Sequence, residues 1–175
     1  LAEGCKELAP FIKELDLQFY MDHHCSILME VPQGFDLSLN SGLAYPYCTS
    51  REVTVSAALS DAQVHPYYLG NVMMSIRTFP IRVGNLIIDN KEIGYSGPFY
   101  PDSKEVTWKY IGVEEELTTN TKRVRRIATF SMEQYKRAIE RLRPTHVFLN
   151  FVNYIRSEKK LRKLLEEMNK IQKVN

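Results

Sequence analysis

Residues 131–171 spell a helix, a strand and a second helix in close succession, and that order constrains the fold more than any other feature of the chain. Ser131 precedes Glu133 and Gln134, a capping-box-like start in which side chains answer backbone N–H groups that lack intrahelical partners. Pro144 cannot continue a helix, so the element that starts at Ser131 is predicted to run to about residue 142. Residues 146–152 (HVFLNFV) then form a compact apolar run that reads as a buried strand. Beyond Ser157, the positions Leu161, Leu164, Leu165, Met168 and Ile171 share one side of a helix, a packing face too short for a coiled coil. Strands separated by helices predict an α/β layered architecture.

The upstream segments fit the same class. Residues 3–15 read as helix broken at Pro10. SILMEV, 26–31, reads as a buried strand ending at Pro32, and 33–51, rich in Gly, Ser, Asn, Pro and Tyr, as a loop. Residues 53–63 have helical composition, with Val55, Ala58 and Leu59 facing inward. VMMSIRTFPIRV, 72–83, is β-prone with a bend at Pro80, 84–103 reads as hairpin or long loop, and 105–111 as a strand.

At 175 residues and 44% hydrophobic, the chain suffices for a single domain, 1–175, with its own core. A formal net charge of +2 is too small for a general nucleic-acid or membrane surface, although a local anion site needs only a few residues. Cys5, Cys25 and Cys48 are odd in number and lack CxxC spacing, which fits a reducing, cytoplasmic compartment. No apolar run reaches membrane-spanning length.

Two loops have the residue types for ligand chemistry. In 31–50, Gln33 offers the donor and acceptor that read a purine edge, Gly34 permits close backbone approach, and Thr49 and Ser50 supply hydroxyls for phosphate oxygens; an ordinary polar loop has the same composition. TTNTKRVRR, 118–126, packs three threonines and four basic residues together. A solvated turn, a nucleic-acid contact and a clamp for carboxylates or phosphates all fit it. Arg123 and Arg125 would project to one side of an extended segment as two planar forks, the geometry for a dicarboxylic amino acid. No aromatic residues are interleaved, which counts against nucleic acid. His23 and His24 in DHHC, 22–25, have no second cluster at ligand spacing and make a poor zinc site. A GxxxxGK[ST] loop is absent.

Taken in order, these loops resemble the C-terminal half of the adenylosuccinate synthetase family. LMEVPQGFDLSLNSGLAYPYCTS is similar to the family's Gln-Gly, Gly-Thr-Tyr-Pro, Val-Thr-Ser-Ser segment, RTFPIRVGN to its Thr-Arg-Val-Gly strand, SGPFYP to its Gly-Pro-Phe-Pro turn, and TTNTKRVRR to its Thr-Thr-x-Thr-Gly-Arg-x-Arg-Arg loop. Thr121-Lys122-Arg123, Thr129-Phe130-Ser131 and VFLNFVNYI more closely resemble the family's phage-type branch, which makes the precursor of 2-aminoadenine deoxynucleotides.

The resemblance implies a mostly parallel central sheet flanked by helices, related to P-loop folds. It implies a ligase that joins L-aspartate to C6 of a purine nucleoside monophosphate, dGMP ahead of IMP, with Mg²⁺ and a nucleoside triphosphate. Gln33, Thr49, Val83 and Gly84 would bind the acceptor nucleotide, and Thr121, Arg123 and Arg125 the aspartate. Asn150, Val152 and Asn153 stand where the ordinary enzyme's Thr-Lys-Leu-Asp reads guanine; with no carboxylate there, the donor implied is ATP or dATP rather than GTP. The phosphate loop, catalytic residues and Mg²⁺ contacts belong to the family's N-terminal half, so the expectation is a C-terminal portion, homodimeric or paired with an N-terminal half. Val31-Pro32 replaces the family's Gly-Ala, and Lys122 a glycine.

Overall fold

The computed structural model describes residues 3, 6, 7, 10, 17–23 and 25–174. In chain order its elements are α1 (Leu17–Asp22), α2 (Val55–Asp61), β1 (Met73–Arg77), β2 (Ile81–Arg82), β3 (Leu86–Ile88), β4 (Lys91–Gly94), β5 (Glu105–Val106), α3 (Trp108–Ile111), β6 (Arg126–Ala128), α4 (Met132–Leu142), β7 (His146–Asn150) and α5 (Glu158–Val174). Short 3-10 turns occupy Phe35–Leu37, Pro66–Tyr68 and Val152–Tyr154. The helical reading of 3–15 lies largely outside the described residues.

β1 and β7 pair in parallel, with Met73 opposite His146 and Arg77 opposite Asn150. The period-2 alternation sends Met74, Ile76, Val147 and Leu149 to one face, where they pack with Tyr135, Ala138 and Ile139 of α4 and with Met168 of α5. Helices layered on a parallel pair are the α/β arrangement predicted from sequence. The opposite face leaves Met73 and Phe148 57% and 51% exposed. The run 146–152 is therefore a half-buried strand rather than a buried one. It ends at Asn150 because Phe151 adopts φ 59° and turns the chain out of the extended region.

A second core lies beneath the antiparallel order β2-β6-β5, in which Ile127 faces Ile81 on one side and Val106 on the other. Trp108, Ile111 and Ile127 are buried there with Phe79, Ile81 and Val106 around them. β3 and β4 form a hairpin whose two turn residues, Asp89 and Asn90, both have positive φ, the requirement of a two-residue type I′ turn. Pro80 separates β1 from β2, as the sequence predicted.

Three local readings change. The strand expected over 105–111 stops at Val106. Thr107 accepts from the Tyr110 N–H, and Gly112, at φ 73°, donates to the carbonyls of Trp108 and Lys109, so cap and stop enclose the short helix α3. SILMEV forms no strand, and Leu28 is 85% exposed. An apolar run identifies a candidate strand but supplies no neighbour to pair with, and none pairs with it among the described residues. At α4, Ser131 caps the Gln134 N–H as expected, at 2.9 Å. The Gln134 side chain does not fold back to complete a capping box; it reaches Asp36, while the Asp102 carboxylate accepts from the Ser131 hydroxyl and the Glu133 N–H. α2 matches its prediction, with Leu59 buried. No helix is long and apolar enough to cross a membrane among the described residues.

Candidate functional site

The basic segment closes into a narrow hairpin. Leu117 and Val124 form an antiparallel bridge, and Thr118 and Arg125 donate their N–H groups to the carbonyls of Arg123 and Glu116. The Thr118 hydroxyl meets that of Thr121 at 2.7 Å and accepts from the Arg123 N–H at 2.9 Å. Two of the three threonines thus build the loop. Lys122 at its tip has φ 52°, a left-handed conformation in which glycine is far more comfortable.

The four cations of this segment have different tasks. Arg126 is structural: its guanidinium grips Glu105 with two nitrogens, donates to the Ser96 hydroxyl and the Gly97 carbonyl, and lies over the Tyr95 and Phe99 rings. The Glu105 hydrogen bond holds its pKa above the ordinary arginine value. Arg125 Nε lies 3.1 Å from Glu116 Oε1. Lys122 and Arg123 have no side-chain partner among the described residues. Half-buried Arg123 and Arg125 flank exposed Val124, in keeping with the alternation expected of an extended segment.

Val83 and Gly84 lie against this hairpin. A Cβ on buried Gly84 would sit 2.3 Å from the Val124 carbonyl oxygen and 3.1 Å from Arg123 Cβ, so only glycine permits the approach. Val83 is 53% exposed beside it. The preceding Arg82 donates to the Ser96 carbonyl at 2.9 and 2.6 Å and to the Tyr47 carbonyl at 3.2 Å. Burial first, then the nearby Arg126 charge, lowers the Arg82 pKa. Tyr47 is two residues before Thr49, so Arg82 ties the Thr49 end of the 33–50 loop to Val83. The Thr49 N–H is held by the Leu37 carbonyl, and its hydroxyl has no partner among the described residues.

The 33–50 loop rests on groups that sequence reasoning missed. Asp36 accepts from the Tyr100 hydroxyl, Arg137 Nη1 and Gln134 Nε2, each at 2.7 Å. Arg137 Nη2 donates to the carbonyls of Ser41 and Gly42. Burial, then the bond to Asp36, pushes the Tyr100 phenol up to about 12. Ser38 is fully buried and accepts from the Val53 N–H at 3.0 Å. Glu52 receives the N–H groups of Asn40 and Ser41; the Ser41 hydroxyl first, then the Asn40 amide, hold its carboxyl below the usual range. Gln33 is exposed. A Cβ at Gly34 would meet no protein atom within 4 Å, and the left-handed residue is Gln33, at φ 73°.

The remaining predicted residues gather at the carboxyl ends of the parallel strands, where α/β sheets commonly hold ligands. Asn150 is exposed and donates to the Ser75 hydroxyl at 2.7 Å; Val152 and Asn153 are also exposed. Thr78 fixes the turn, donating its N–H to the Asn150 carbonyl and its hydroxyl to that of Phe151. Arg77 stacks on the Phe151 ring, Cζ 3.8 Å from the centroid, and donates to Glu116 Oε2 at 2.7 Å. Glu116, facing Arg125 with its other oxygen, joins this strand end to the basic hairpin. Among the described residues no three His, Cys, Asp or Glu side chains gather to hold a metal ion.

A sequence profile of the adenylosuccinate synthetase family matches residues 2–168. The N6-succino-2-amino-2'-deoxyadenylate synthase of Salmonella phage PMBT28 is 51% identical over 131 residues, which are 74% of this chain and 35% of that protein. The enzyme of that name from Acinetobacter phage SH-Ab 15497 is 41% identical over 165 residues, 92% of this chain and 42% of that protein. Among solved structures, cyanophage S-2L succinoaminodeoxyadenylate synthetase, bound to dGMP and to dATP as energy donor, superposes with a TM-score of 0.71. It is 40% identical and covers 78% of this chain and 39% of its own. The chain thus spans well under half the length of these relatives.

Proposed function

The chain belongs to the adenylosuccinate synthetase family, and from that premise we propose that it forms the carboxyl-terminal part of a ligase joining L-aspartate to C6 of dGMP, with ATP or dATP as phosphoryl donor. In this reading Gln33, Thr49, Val83 and Gly84 hold the acceptor nucleotide, and Asn150, Val152 and Asn153 face the donor's base. Thr121, Arg123 and Arg125 hold both carboxylates of aspartate, which leaves its amine free and aimed at C6. Fixing the nucleophile in this way replaces a bimolecular encounter with an oriented one. The amine attacks C6, whose oxygen carries the transferred phosphoryl group. The C6–N bond forms, the C6–O bond breaks, and the oxygen leaves as part of inorganic phosphate while the amine loses a proton.

The observation that most supports the reading is the contact of Gly84 with the Val124 backbone and Arg123 Cβ, beside two cations, Lys122 and Arg123, that have no side-chain partner among the described residues. A hairpin carrying Lys122 and Arg123 against a nucleotide-binding strand suits an anionic co-substrate next to a purine. Because Arg126 is already committed to Glu105, the segment's cations available to a polyanion are few, which argues against a nucleic-acid module. The absence of a carboxylate at 150–153 favours adenine over guanine, since guanine's N1–H and amino group call for an anionic acceptor.

The described residues offer no carboxylate cluster for Mg²⁺. In this proposal the phosphate loop and metal contacts come from the remainder of the synthetase, at work in the host cytoplasm as a homodimer. The exposed Met73 and Phe148 face of β1–β7 fits such a completing part, since parallel sheets are ordinarily covered on both faces. The test is phosphate release by the complete enzyme with L-aspartate, comparing dGMP with IMP and ATP with GTP. Turnover confined to IMP with GTP would replace this reading with the ordinary adenylosuccinate reaction.

A further inference from the structure

Arg77, Glu116 and Phe151 have no task in the reading above, yet they connect its aspartate grip to its donor-base segment. The Glu116 carboxylate is divided: Oε2 accepts from Arg77 Nη2 at 2.7 Å, and Oε1 faces Arg125 Nε at 3.1 Å. Its backbone carbonyl accepts from the Arg125 N–H at 2.8 Å, so the two residues move as one piece of hairpin. Arg77 Cζ lies over the ring of Phe151, whose carbonyl is pinned by Thr78 and whose left-handed φ leads directly into Val152–Tyr154. The side chains of Arg77, Glu116 and Arg125 are 21%, 34% and 24% exposed, so these charges are screened less than surface pairs. The Nε atoms of both arginines are buried and make no well-aligned hydrogen bond, and among the described residues no hydrogen-bond partner holds either Nη of Arg125.

We propose that Glu116 and Arg77 are positioning residues that couple the aspartate subsite to the donor-base subsite. The inference rests on the proposed function. A ligand carboxylate on Arg125 competes with Glu116 for the same guanidinium. Glu116 then shifts its share of interaction toward Arg77, which settles more firmly over Phe151 and orders the Val152–Asn153 backbone. By linkage, a base seated on that backbone improves the grip on aspartate by the same factor. The carboxylate divided between two guanidinium groups is the two-state element that both subsites bias.

Arginine side-chain and backbone amide NMR of the ¹⁵N-labelled complete enzyme, titrated with L-aspartate alone, tests this. The buried Nε–H groups of Arg77 and Arg125 exchange slowly enough to be followed. The expected result is that Arg125 Nε–H, Arg77 Nε–H and the Asn153 amide all shift with one midpoint. In Glu116→Gln, Arg125 still shifts while Arg77 and Asn153 stand still. Arg77→Lys, a milder change that keeps the charge and loses the guanidinium over the ring, abolishes the Asn153 response alone. If Arg125 responds in the unsubstituted chain and Arg77 does not, the coupling is wrong and the aspartate assignment stands. Persistence of the Arg77 shift in Glu116→Gln also ends the coupling. If Arg125 itself does not respond, the aspartate assignment falls and takes the coupling with it.

Discussion

Arg137 on α4 donates Nη1 to Asp36 Oδ1 at 2.7 Å and Nη2 to the carbonyls of Ser41 and Gly42, clamping both ends of a loop about a hundred residues away in the chain. The Asp36 side chain is 11% exposed, so its charge depends on this partner. Arg137→Ala leaves the carboxylate with only Tyr100 and Gln134. The expected loss is about 2 kcal/mol of unfolding free energy, read from the urea midpoint, with faster amide exchange over 36–43. Arg162→Ala removes an ion pair whose members are 73% and 76% exposed and leaves the midpoint nearly unchanged.

The same cluster predicts a pH response. Burial and the bond to Asp36 raise the Tyr100 pKa from 10.0 to about 12. Between those values the folded chain keeps a proton that the unfolded chain has lost. Stability from this group is therefore complete below pH 10 and falls as pH rises toward 12. Tyr100→Phe removes this slope. Urea midpoints at about pH 9 and about pH 11 should differ less in the variant than in the parent.

These two predictions also mark where the sequence stopped being informative. Helix α4, the existence of β7 as a strand and the apolar face of α5 depend on neighbours three or four residues away or on a local apolar run, and they were legible, whereas the half-burial of β7 was not. Thr107 and Gly112 were equally local signals for α3, passed over because TWKYIGV also satisfies a strand's preference for aromatic and β-branched residues. SILMEV failed for another reason: a strand is a relation between two segments. At the site, the motif positions were visible one loop at a time. Their supports were not, because Asp36–Arg137, Arg77–Glu116 and Arg82–Tyr47 are contacts between distant segments with no periodicity to betray them.

Lys122 is expected to trade stability for charge. A non-glycine side chain at φ 52° costs about 1–2 kcal/mol. Glycine relieves that, at the expense of up to about 1 kcal/mol of extra freedom in the unfolded chain. Lys122→Gly should therefore raise the thermal midpoint slightly, by the equivalent of roughly 0.5 kcal/mol. In the proposed function it also weakens anion binding. A scanning calorimetry trace that shows a clear loss of stability would mean that the Lys122 side chain contributes to the fold.

Gly84→Ala should be severe for so small a change. The added methyl would lie 2.3 Å from the Val124 carbonyl oxygen, which is backbone and part of the bridge to Leu117. The hairpin must move away, at a cost of about 2–3 kcal/mol. Urea titration measures that cost, and in the proposed function calorimetry with dGMP should show binding lost before the fold is. Asn85→Ala, one position on, lacks this steric conflict and should retain the nucleotide.

In the proposed function, Arg123→Lys isolates the aspartate grip from everything around it. Arg123 has no side-chain partner among the described residues, so the change breaks no internal ion pair and should leave the urea midpoint within about 0.5 kcal/mol of the parent. Lysine keeps the charge and can still neutralise a nearby phosphate oxygen. It cannot present two parallel N–H groups to one carboxylate. In the complete enzyme the KM for aspartate should rise at least about tenfold, the equivalent of 1.4 kcal/mol, while the KM for dGMP moves about twofold or less. Equal increases in both would place Arg123 on the nucleotide rather than on the diacid, and the roles of the hairpin would have to be reassigned around that result.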